Sequence, residues 1–226
     1  MSSHEGQVSA AAPKMRKKDP DKRRALLLEA TASCIRELGI ANTRVADIAK
    51  RASTSPSLVL YHFESIEGVF RAVFEVIEDD FYRFISEAES QNADAVERMV
   101  VLSESSVSAQ AVEQWWPIWV ELWTESRRNA AIRELRTKLT EKWHGALRSC
   151  LLLGQRQGHF KQIDVNLTAL RLAMFMDGIA ITMTDRELGA GRNELSATWL
   201  ESAAVYTECE LLTERAKAIR GREIAH

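Results

Sequence analysis

A nine-residue stretch near the start of the chain, SPSLVLYHF at 55–63, gathers side chains suited to contact with phosphates and base edges. Tyr61 and His62 can donate hydrogen bonds to phosphate oxygens, and Leu58 or Leu60 can touch a thymine methyl group. The small polar residues that open the stretch allow a close approach to a sugar–phosphate backbone. These residue types predict a surface that binds nucleic acid, provided that the stretch is helical and exposed.

A second concentration of chemistry lies in QWWPIWVELWTE at 114–125, which holds four of the six tryptophans. Trp116, Trp119 and Trp123 follow helical spacing on one face. One interpretation is a ligand pocket, because tryptophan faces attract quaternary or protonated amines. The alternative is plain core, where large aromatic side chains usually lie. The carboxylates that could balance a bound cation are Glu121, Glu125 and Asp177.

Enzyme chemistry finds little support in the sequence. The five histidines lack the spacing of metal ligands, and His144 and Cys150, six apart, do not share a helix face. Gly189-Ala190-Gly191 favours a turn between helices rather than a phosphate-binding loop. The three cysteines lie far apart in apolar helical patterns, which predicts buried free thiols. We therefore expect no catalytic residue, no metal site and no cofactor.

The charge is unevenly distributed along the 226 residues. Through Arg71 there are 12 Lys/Arg and 8 Asp/Glu, whereas the remainder has 18 and 24. A basic start on an acidic protein favours a module that binds a polyanion, although a solvated tail is the alternative. Residues 1–18 lack periodicity and predict a disordered basic arm. Without a signal peptide, or an apolar run near 18 residues, we expect a soluble intracellular protein.

The elements that must position these residues are all helical, since no strand alternation is present. Ser55 and Pro56 are favoured at a helix cap and first turn, and Val59 and Phe63, four apart, give the short helix its buried stripe. Pro117 is expected to kink the tryptophan-rich helix. Helices are predicted over about 20–38, 44–51, 56–63, 65–84, 92–107, 110–127, 129–157, 164–188 and 193–218.

The second and third of these helices are joined by a tight turn, Ala52-Ser53-Thr54-Ser55. Two short helices with a tight turn and narrow apolar stripes are typical of a helix-turn-helix, whose second helix enters the major groove of DNA. Arg44 would lie at the start of the first helix of the pair, placed for a phosphate. The fold class predicted is all-α, with a small N-terminal DNA-binding domain over 19–66 and a larger helical domain over 67–226.

The segment from Arg23 to Phe74 resembles the DNA-binding domain of the TetR family of bacterial transcriptional repressors. The matching pieces are RALLLEATASCIRELGIANT, RVADIAKRAS, SPSLVLYHF and ESIEGVF. Ser53-Thr54, Ser57 and Ile66 stand where the family usually has Gly-Val, Gly and Lys. The resemblance implies contacts to DNA from Arg44, Ser55, Pro56, Ser57, Leu58, Tyr61 and His62. The basic arm of the first helix often supplements them, here with Lys17, Lys18, Lys22, Arg23 and Arg24.

The same resemblance implies a C-terminal domain that dimerises and binds a small molecule. The broad apolar surface of 164–188, with 193–218, predicts the dimer interface. W-x-x-W and FMDGI at 175–179 resemble the BetI-type branch, which includes choline-responsive members. This implies an effector, a cationic amine among the candidates, bound by Trp116, Trp119, Trp123, Glu121 and Asp177.

The function predicted is a ligand-released repressor, a homodimer on a palindromic operator in double-stranded DNA. We expect it to be cytoplasmic, associated with the nucleoid and independent of any membrane. An all-α adaptor that binds a protein partner through the tryptophan-rich helix is the alternative. Such an adaptor leaves the basic arm unexplained.

Overall fold

A computed structural model describes residues 20–91, 93–184 and 191–222 of the chain. Over these residues the protein is all-α, as predicted, with ten α-helices. The N-terminal arm, 1–18, lies outside the described residues. The helices are α1 (Pro20–Leu38), α2 (Val45–Arg51), α3 (Pro56–Phe63), α4 (Ile66–Ser90), α5 (Ala95–Ser106), α6 (Trp116–Ser126), α7 (Ala130–Gln157), α8 (Val165–Thr184), α9 (Arg192–Thr207) and α10 (Glu210–Gly221).

Two hydrophobic cores hold the helices together. The first joins α1–α4 to α6 and α7 through residues such as Ile35, Ile48, Val59 and Phe74. The second packs α5 and α7 against α8, α9 and α10 around the fully buried Trp199. Because α4 and α6 contribute to the first core, the N-terminal helices are packed directly on the larger helical unit rather than joined to it by a linker.

Local signals set most of the helix boundaries. The hydroxyl of Ser55 accepts the Leu58 N–H at 3.3 Å, and that of Ser65 accepts the Gly68 N–H at 3.0 Å, as the capping signals predict. The cap of α2 is Arg44, whose backbone N–H donates to the Asp47 carboxylate at 2.9 Å. The N3 carboxylate therefore supplies the backbone bond of a capping box.

The chain changes from a π-helical turn to an α-helix just before Pro117, at the place where a kink was predicted. A π-helical turn, Ala111–Trp115, precedes α6, and Pro117 occupies its first turn. Proline has no N–H to donate, so a widened turn at this point costs no additional backbone hydrogen bond. The π-helical turn therefore marks the change from the loop after α5 to the tryptophan-rich helix.

The last helix predicted, 193–218, is wrong as a single element. Glu208 adopts a left-handed conformation with φ of 49°, which ends α9 and sends α10 back along it. Arg220 of α10 then pairs with Glu194 and Glu201 of α9, each at 2.6 Å. The predicted free thiols are confirmed: Cys34, Cys150 and Cys209 are all buried and unpaired.

Candidate DNA-binding surface and effector cavity

Helix α3 presents its polar side to solvent. Val59 is fully buried and Phe63 is 7% exposed, so these two side chains fix the helix on the core. On the opposite side Ser57 and Leu60 are exposed, and Tyr61 is 81% exposed. A large aromatic side chain with a phenol at its tip rarely stands so far into solvent unless it has a partner. The arrangement leaves the recognition surface free along the two turns of the helix.

The turn between α2 and α3 is closed by a Schellman arrangement. The Thr54 N–H donates to Ala49 O at 2.9 Å and the Ser53 N–H donates to Lys50 O at 3.2 Å. Ser53 lies in the left-handed region with φ of 51°. A side chain pays roughly 1–2 kcal/mol in that region, whereas glycine does not. Ser53, which stands here in place of the usual glycine, therefore keeps the geometry of the turn but adds backbone strain.

The junction between α3 and α4 is also tight. Glu64 has φ of 66°, and the Ser65 N–H donates across it to Phe63 O at 2.7 Å. A Cβ atom on Gly68 would lie 2.1 Å from that same carbonyl oxygen, so only glycine permits the approach. Helix α4 is thus seated directly against the end of α3, and a movement of α4 must carry α3 with it.

The remaining sequence-predicted DNA contacts surround α3. Arg44 is exposed, and its guanidinium donates to Ala41 O at 2.8 Å, so a basic group stands at the N-terminus of α2. Leu58 and His62 are half-buried, the His62 ring 5.5 Å from that of Tyr61. Ser55, Pro56 and Ser57 are exposed, and the Ser55 and Ser57 hydroxyls lie 2.9 Å apart.

The start of α1 lies beside the end of α3. The Arg24 guanidinium stands 5.4 Å from the centre of the Phe63 ring. Lys22 is exposed and Arg23 is half-buried in the same first turns. Three basic side chains therefore lie in the first turns of α1, and the Arg24 guanidinium is in contact with α3. Lys17 and Lys18 of the arm lie outside the described residues.

A cavity opens between α4, α6, α7 and α8. Its empty volume, mouth included, is about 740 Å³. The walls are dominated by aromatic rings, with a few polar groups between them. The lining residues are Ile77, Glu78, Phe81, Tyr82, Ser106, Trp115, Trp116, Trp119, Trp123, Leu139, Thr140, Trp143, His144 and Asp177.

All three tryptophans that the sequence pattern singled out line this cavity. The Trp116 indole N–H donates to Ser106 O at 2.7 Å, which fixes its ring, and Trp119 meets Phe74 edge to face at 5.6 Å. Sequence reasoning missed the aromatic rings that α4 and α7 contribute. The ring centres of Phe81 on α4 and Trp143 on α7 lie 5.7 Å apart. No local pattern could reveal them, because the helices that carry them meet only in the fold.

One predicted carboxylate, Asp177 of α8, lies in the cavity wall. Burial raises the pKa of its carboxyl to about 6. No hydrogen bond or ion pair reaches it from the part of the chain that the structure describes. A second carboxylate, Glu78 of α4, also lines the cavity and was missed; its oxygen lies 3.1 Å from the Lys142 ammonium. Asp177 is therefore a half-buried carboxylate in a largely aromatic wall, with no cationic partner among the residues that the structure describes.

Glu121 does not line the cavity, contrary to its expected role at the ligand. Its carboxylate faces the other side of α6 and accepts the Ile40 N–H at 3.2 Å. A Cβ on Gly39 would lie 2.6 Å from the same oxygen, so the glycine makes room for it. Glu121 therefore connects the cavity helix α6 to the loop between α1 and α2. Glu125 pairs with Arg128 at 3.3 Å and also stays outside the cavity.

Helix α8 carries an exposed apolar stripe on the side away from the core. Leu167, Leu170, Met174 and Ile181 are between 42% and 63% exposed. Around Gly178, between the last two, there is open space. Residues at these spacings share one helix face. The stripe is a surface ready to be covered by another helix.

No apolar run near 18 residues was expected, yet one helix of the described residues meets the test of length and composition for a bilayer span. Helix α8, Val165–Thr184, has a mean hydropathy of 1.3 and passes that test, with 39% of the window buried. A core helix of a soluble protein passes the same test. The inner side of α8 packs in the second core, so its apolar character also fits a helix buried on both sides by protein.

The comparisons with known proteins cover both parts of the chain. The family model for bacterial regulatory proteins of the tetR family matches residues 27–73. That for the C-terminal domain of BetI-type transcriptional repressors matches 95–204. The HTH-type transcriptional regulator BetI of Burkholderia mallei is 27% identical over 131 residues, which cover 55% of this chain and 65% of that protein. The chain thus spans just under two thirds of the length of this relative.

Solved structures share the fold over most of the chain. A transcriptional regulator from Saccharomonospora viridis, solved in complex with choline, is 27% identical with a TM-score of 0.70. The match covers 80% of this chain and 95% of the Saccharomonospora chain. A TetR-family protein from Rhodococcus sp. is 24% identical with a TM-score of 0.72. That match covers 83% of this chain and 99% of the Rhodococcus chain. The two family models together match more than half of the chain. The chain belongs to the TetR family of bacterial transcriptional regulators and has a C-terminal domain of the BetI type.

Proposed function

We propose that this protein is a ligand-responsive transcriptional repressor that binds operator DNA through α3 and is released by a small cationic effector. The observation that carries the first part is the exposed side of α3, with Tyr61 in solvent, Ser55 at its N-terminus and Arg44 nearby. A helix N-terminus directs backbone N–H groups at phosphates, and the basic side chains add charge neutralisation. In this proposal it works in the cytoplasm on the nucleoid.

A dimer is the second part of the proposal. One short helix reads too few base pairs, so two-fold partners are needed to contact both halves of a palindromic site, roughly 34–36 Å apart. The stripe of Leu167, Leu170, Met174 and Ile181 on α8, together with Val205 on α9, which is 74% exposed, supports a face for the second copy. The open surface at Gly178 would let the partner helix approach closely.

The effector proposed is an alkylammonium or quaternary ammonium compound. The cavity supplies tryptophan faces, including Trp119 and Trp123, and the carboxylate of Asp177, which pairs with no cation in the described part of the chain. Aromatic faces and a desolvated carboxylate together select a cation that sheds its water easily. The protein from Saccharomonospora viridis binds choline, which makes choline the first compound to test.

The effector is proposed to act through two helices that touch both the cavity and the DNA unit. Helix α4 contributes Ile77 and Glu78 to the cavity wall and begins directly after α3, against the Phe63 carbonyl. Helix α6 contributes Trp119 and reaches the α1–α2 loop through Glu121. A ligand that moves either helix would shift α3 relative to its partner, which mismatches the two half-sites and weakens operator binding.

The adaptor alternative is not favoured by any observation. Each tryptophan between 115 and 123 is buried or half-buried, and the exposed face of α6 is not aromatic. A protein partner would therefore find no aromatic patch on this helix.

The test begins with selection of bound fragments from genomic DNA, followed by fluorescence anisotropy on the fragments recovered. Arg44→Ala and Tyr61→Ala should each weaken binding by roughly ten- to hundred-fold. Arg128→Ala is the matched control, since Arg128 is an exposed arginine at the far end of α6. Retention of full operator affinity by both variants at physiological salt would contradict the DNA-binding proposal. Failure of choline, putrescine and spermidine to release the fragments would contradict the cationic effector alone.

A further inference from the structure

Lys142 of α7 is an exposed residue that does not itself line the effector cavity but contacts two residues that do. Its ammonium nitrogen lies 3.1 Å from Glu78 Oε2 and 4.3 Å from the centre of the Tyr82 ring. Glu78 and Tyr82, both on α4, line the cavity. The chain therefore already places one ammonium group against a carboxylate and an aromatic face of the site.

The surroundings of this ammonium are those of a cation-binding subsite. The Glu78 side chain is only 14% exposed, and burial raises the pKa of its carboxyl while Lys142 opposes the shift. The Tyr82 ring is close enough for a cation–π interaction. Lys142 itself is 46% exposed, so its charge can leave for water at a modest cost.

Other lysine pairs of α7 lack this character. Lys138, one turn earlier, pairs with Glu134 at 2.7 Å, and both side chains are about 70% exposed. That pair lies on the helix surface, away from the residues that line the cavity. The contrast shows that the environment of Lys142, and not the presence of a lysine on α7, is the unusual feature.

We propose that Lys142 is a resident ammonium that occupies a second cation subsite of the cavity, formed by Glu78 and Tyr82, and thereby lowers the affinity of the cavity for alkylammonium ligands. The proposal rests on the proposed function of the cavity as the site of a cationic effector. Asp177 has no cationic partner among the described residues, whereas Glu78 is already paired with an ammonium from within the chain. An ammonium ligand must therefore bind beside a like charge or displace it.

Displacement has a structural consequence. The Lys142–Glu78 pair ties α7 to α4, and α4 is seated on the end of the recognition helix. A ligand that takes Glu78 from Lys142 removes this tie between the two cavity walls. The resident ammonium thus sets both the concentration of ligand that is needed and one contact that ligand binding breaks.

The test compares Lys142→Met with Lys138→Met in the full-length protein, by titration with choline followed by tryptophan fluorescence and calorimetry. The uncharged probe is 3,3-dimethyl-1-butanol, which has the shape of choline without its charge. For charges separated by on the order of 8 Å at an effective dielectric constant of about 20–40, removal of the Lys142 charge should tighten choline binding roughly five- to thirty-fold. Binding of the uncharged probe should be unchanged, and Lys142→Arg should behave as wild type.

Each outcome decides the proposal. Tighter choline binding by Lys142→Met, or choline binding that appears only in this variant, supports it. Equal affinities in wild type, Lys142→Met and Lys138→Met overturn it while the cationic effector stands. Weaker binding by Lys142→Met also overturns it, because Lys142 would then support the ligand. No choline binding by any variant overturns the resident ammonium, and the same result with putrescine and spermidine overturns the cationic effector as well. A thermal melt establishes that Lys142→Met is folded, and Lys142→Gln replaces it if it is not.

Discussion

The sharpest prediction concerns Asp177→Asn, a change of one charged group in the cavity wall. The carboxyl of Asp177 is buried among aromatic rings, and burial alone raises its pKa to about 6. Asparagine has nearly the same shape but no charge. The substitution should therefore remove a cost to folding and, at the same time, the negative charge that a cationic ligand needs.

The magnitude follows from linkage between protonation and folding. A carboxyl with a pKa of 3.8 in the unfolded chain and about 6 in the folded protein costs about 3 kcal/mol of folding free energy once both states are ionised. Its remaining contact with solvent reduces this value, so we expect a gain of about 1–3 kcal/mol for Asp177→Asn. Because the folded state holds the proton more tightly, wild-type stability falls as the pH rises from about 4 to about 7. The gain should grow over the same interval.

The assay is urea denaturation of both proteins at pH 5 and pH 7.5, at one protein concentration because dimerisation adds to apparent stability. Asp79→Asn, which removes an exposed carboxylate from α4, is the matched control and should change the free energy of unfolding by less than about 0.5 kcal/mol. In parallel, Asp177→Asn should weaken choline binding at pH 7.5 by roughly ten-fold or more. The reasoning fails if Asp177→Asn is less stable than wild type at pH 7.5. A gain that is equal at the two pH values would also refute it.

Three further predictions test the surrounding structure. Ser53→Gly should stabilise the protein by about 1 kcal/mol, measured as the urea midpoint, because Ser53 holds a left-handed conformation; a loss of stability would show that its hydroxyl matters more than the strain. Glu121→Ala should leave choline affinity within about three-fold of wild type. It should reduce the release of operator by choline, because the hydrogen bond to the Ile40 N–H is lost. Unchanged release would exclude this contact from the coupling. Met174→Glu should shift the protein to monomer in sedimentation experiments at micromolar concentration, while Leu26→Glu, an exposed leucine of α1, should not; a Met174→Glu dimer would move the interface elsewhere.

Signals local to the chain account for what the sequence could predict. Ser55-Pro56 fixes the start of α3, and Asn129 caps α7 by accepting the Ala131 N–H at 3.0 Å. Gly158 ends the same helix in the left-handed conformation with φ of 76°. Each signal acts through bonds within a few residues of itself, so a single sequence contains all the information required.

The break between α9 and α10 lacked such a signal. Glu208 takes the left-handed conformation that a glycine or asparagine would have announced. The compensating contact comes from the loop before α8, where the Lys161 N–H donates to Thr207 O at 3.1 Å and the Lys161 ammonium pairs with Glu208. The partner lies more than forty residues away along the chain, so only the fold brings it to the helix end.

The role of Glu121 was misjudged for a related reason. Its spacing from Trp119 and Trp123 allowed a place near the cavity, but α6 has two sides in contact with protein, one towards the cavity and one towards the α1–α2 loop. The sequence could not say which side each residue takes, because the direction of α6 is set by the π-helical turn before it and by the packing of α1. Gly39, which turns the chain after α1 with φ of 78°, leaves space beside this carboxylate. A glycine that ends one helix thus also admits the contact by which a cavity helix reaches the DNA-binding unit.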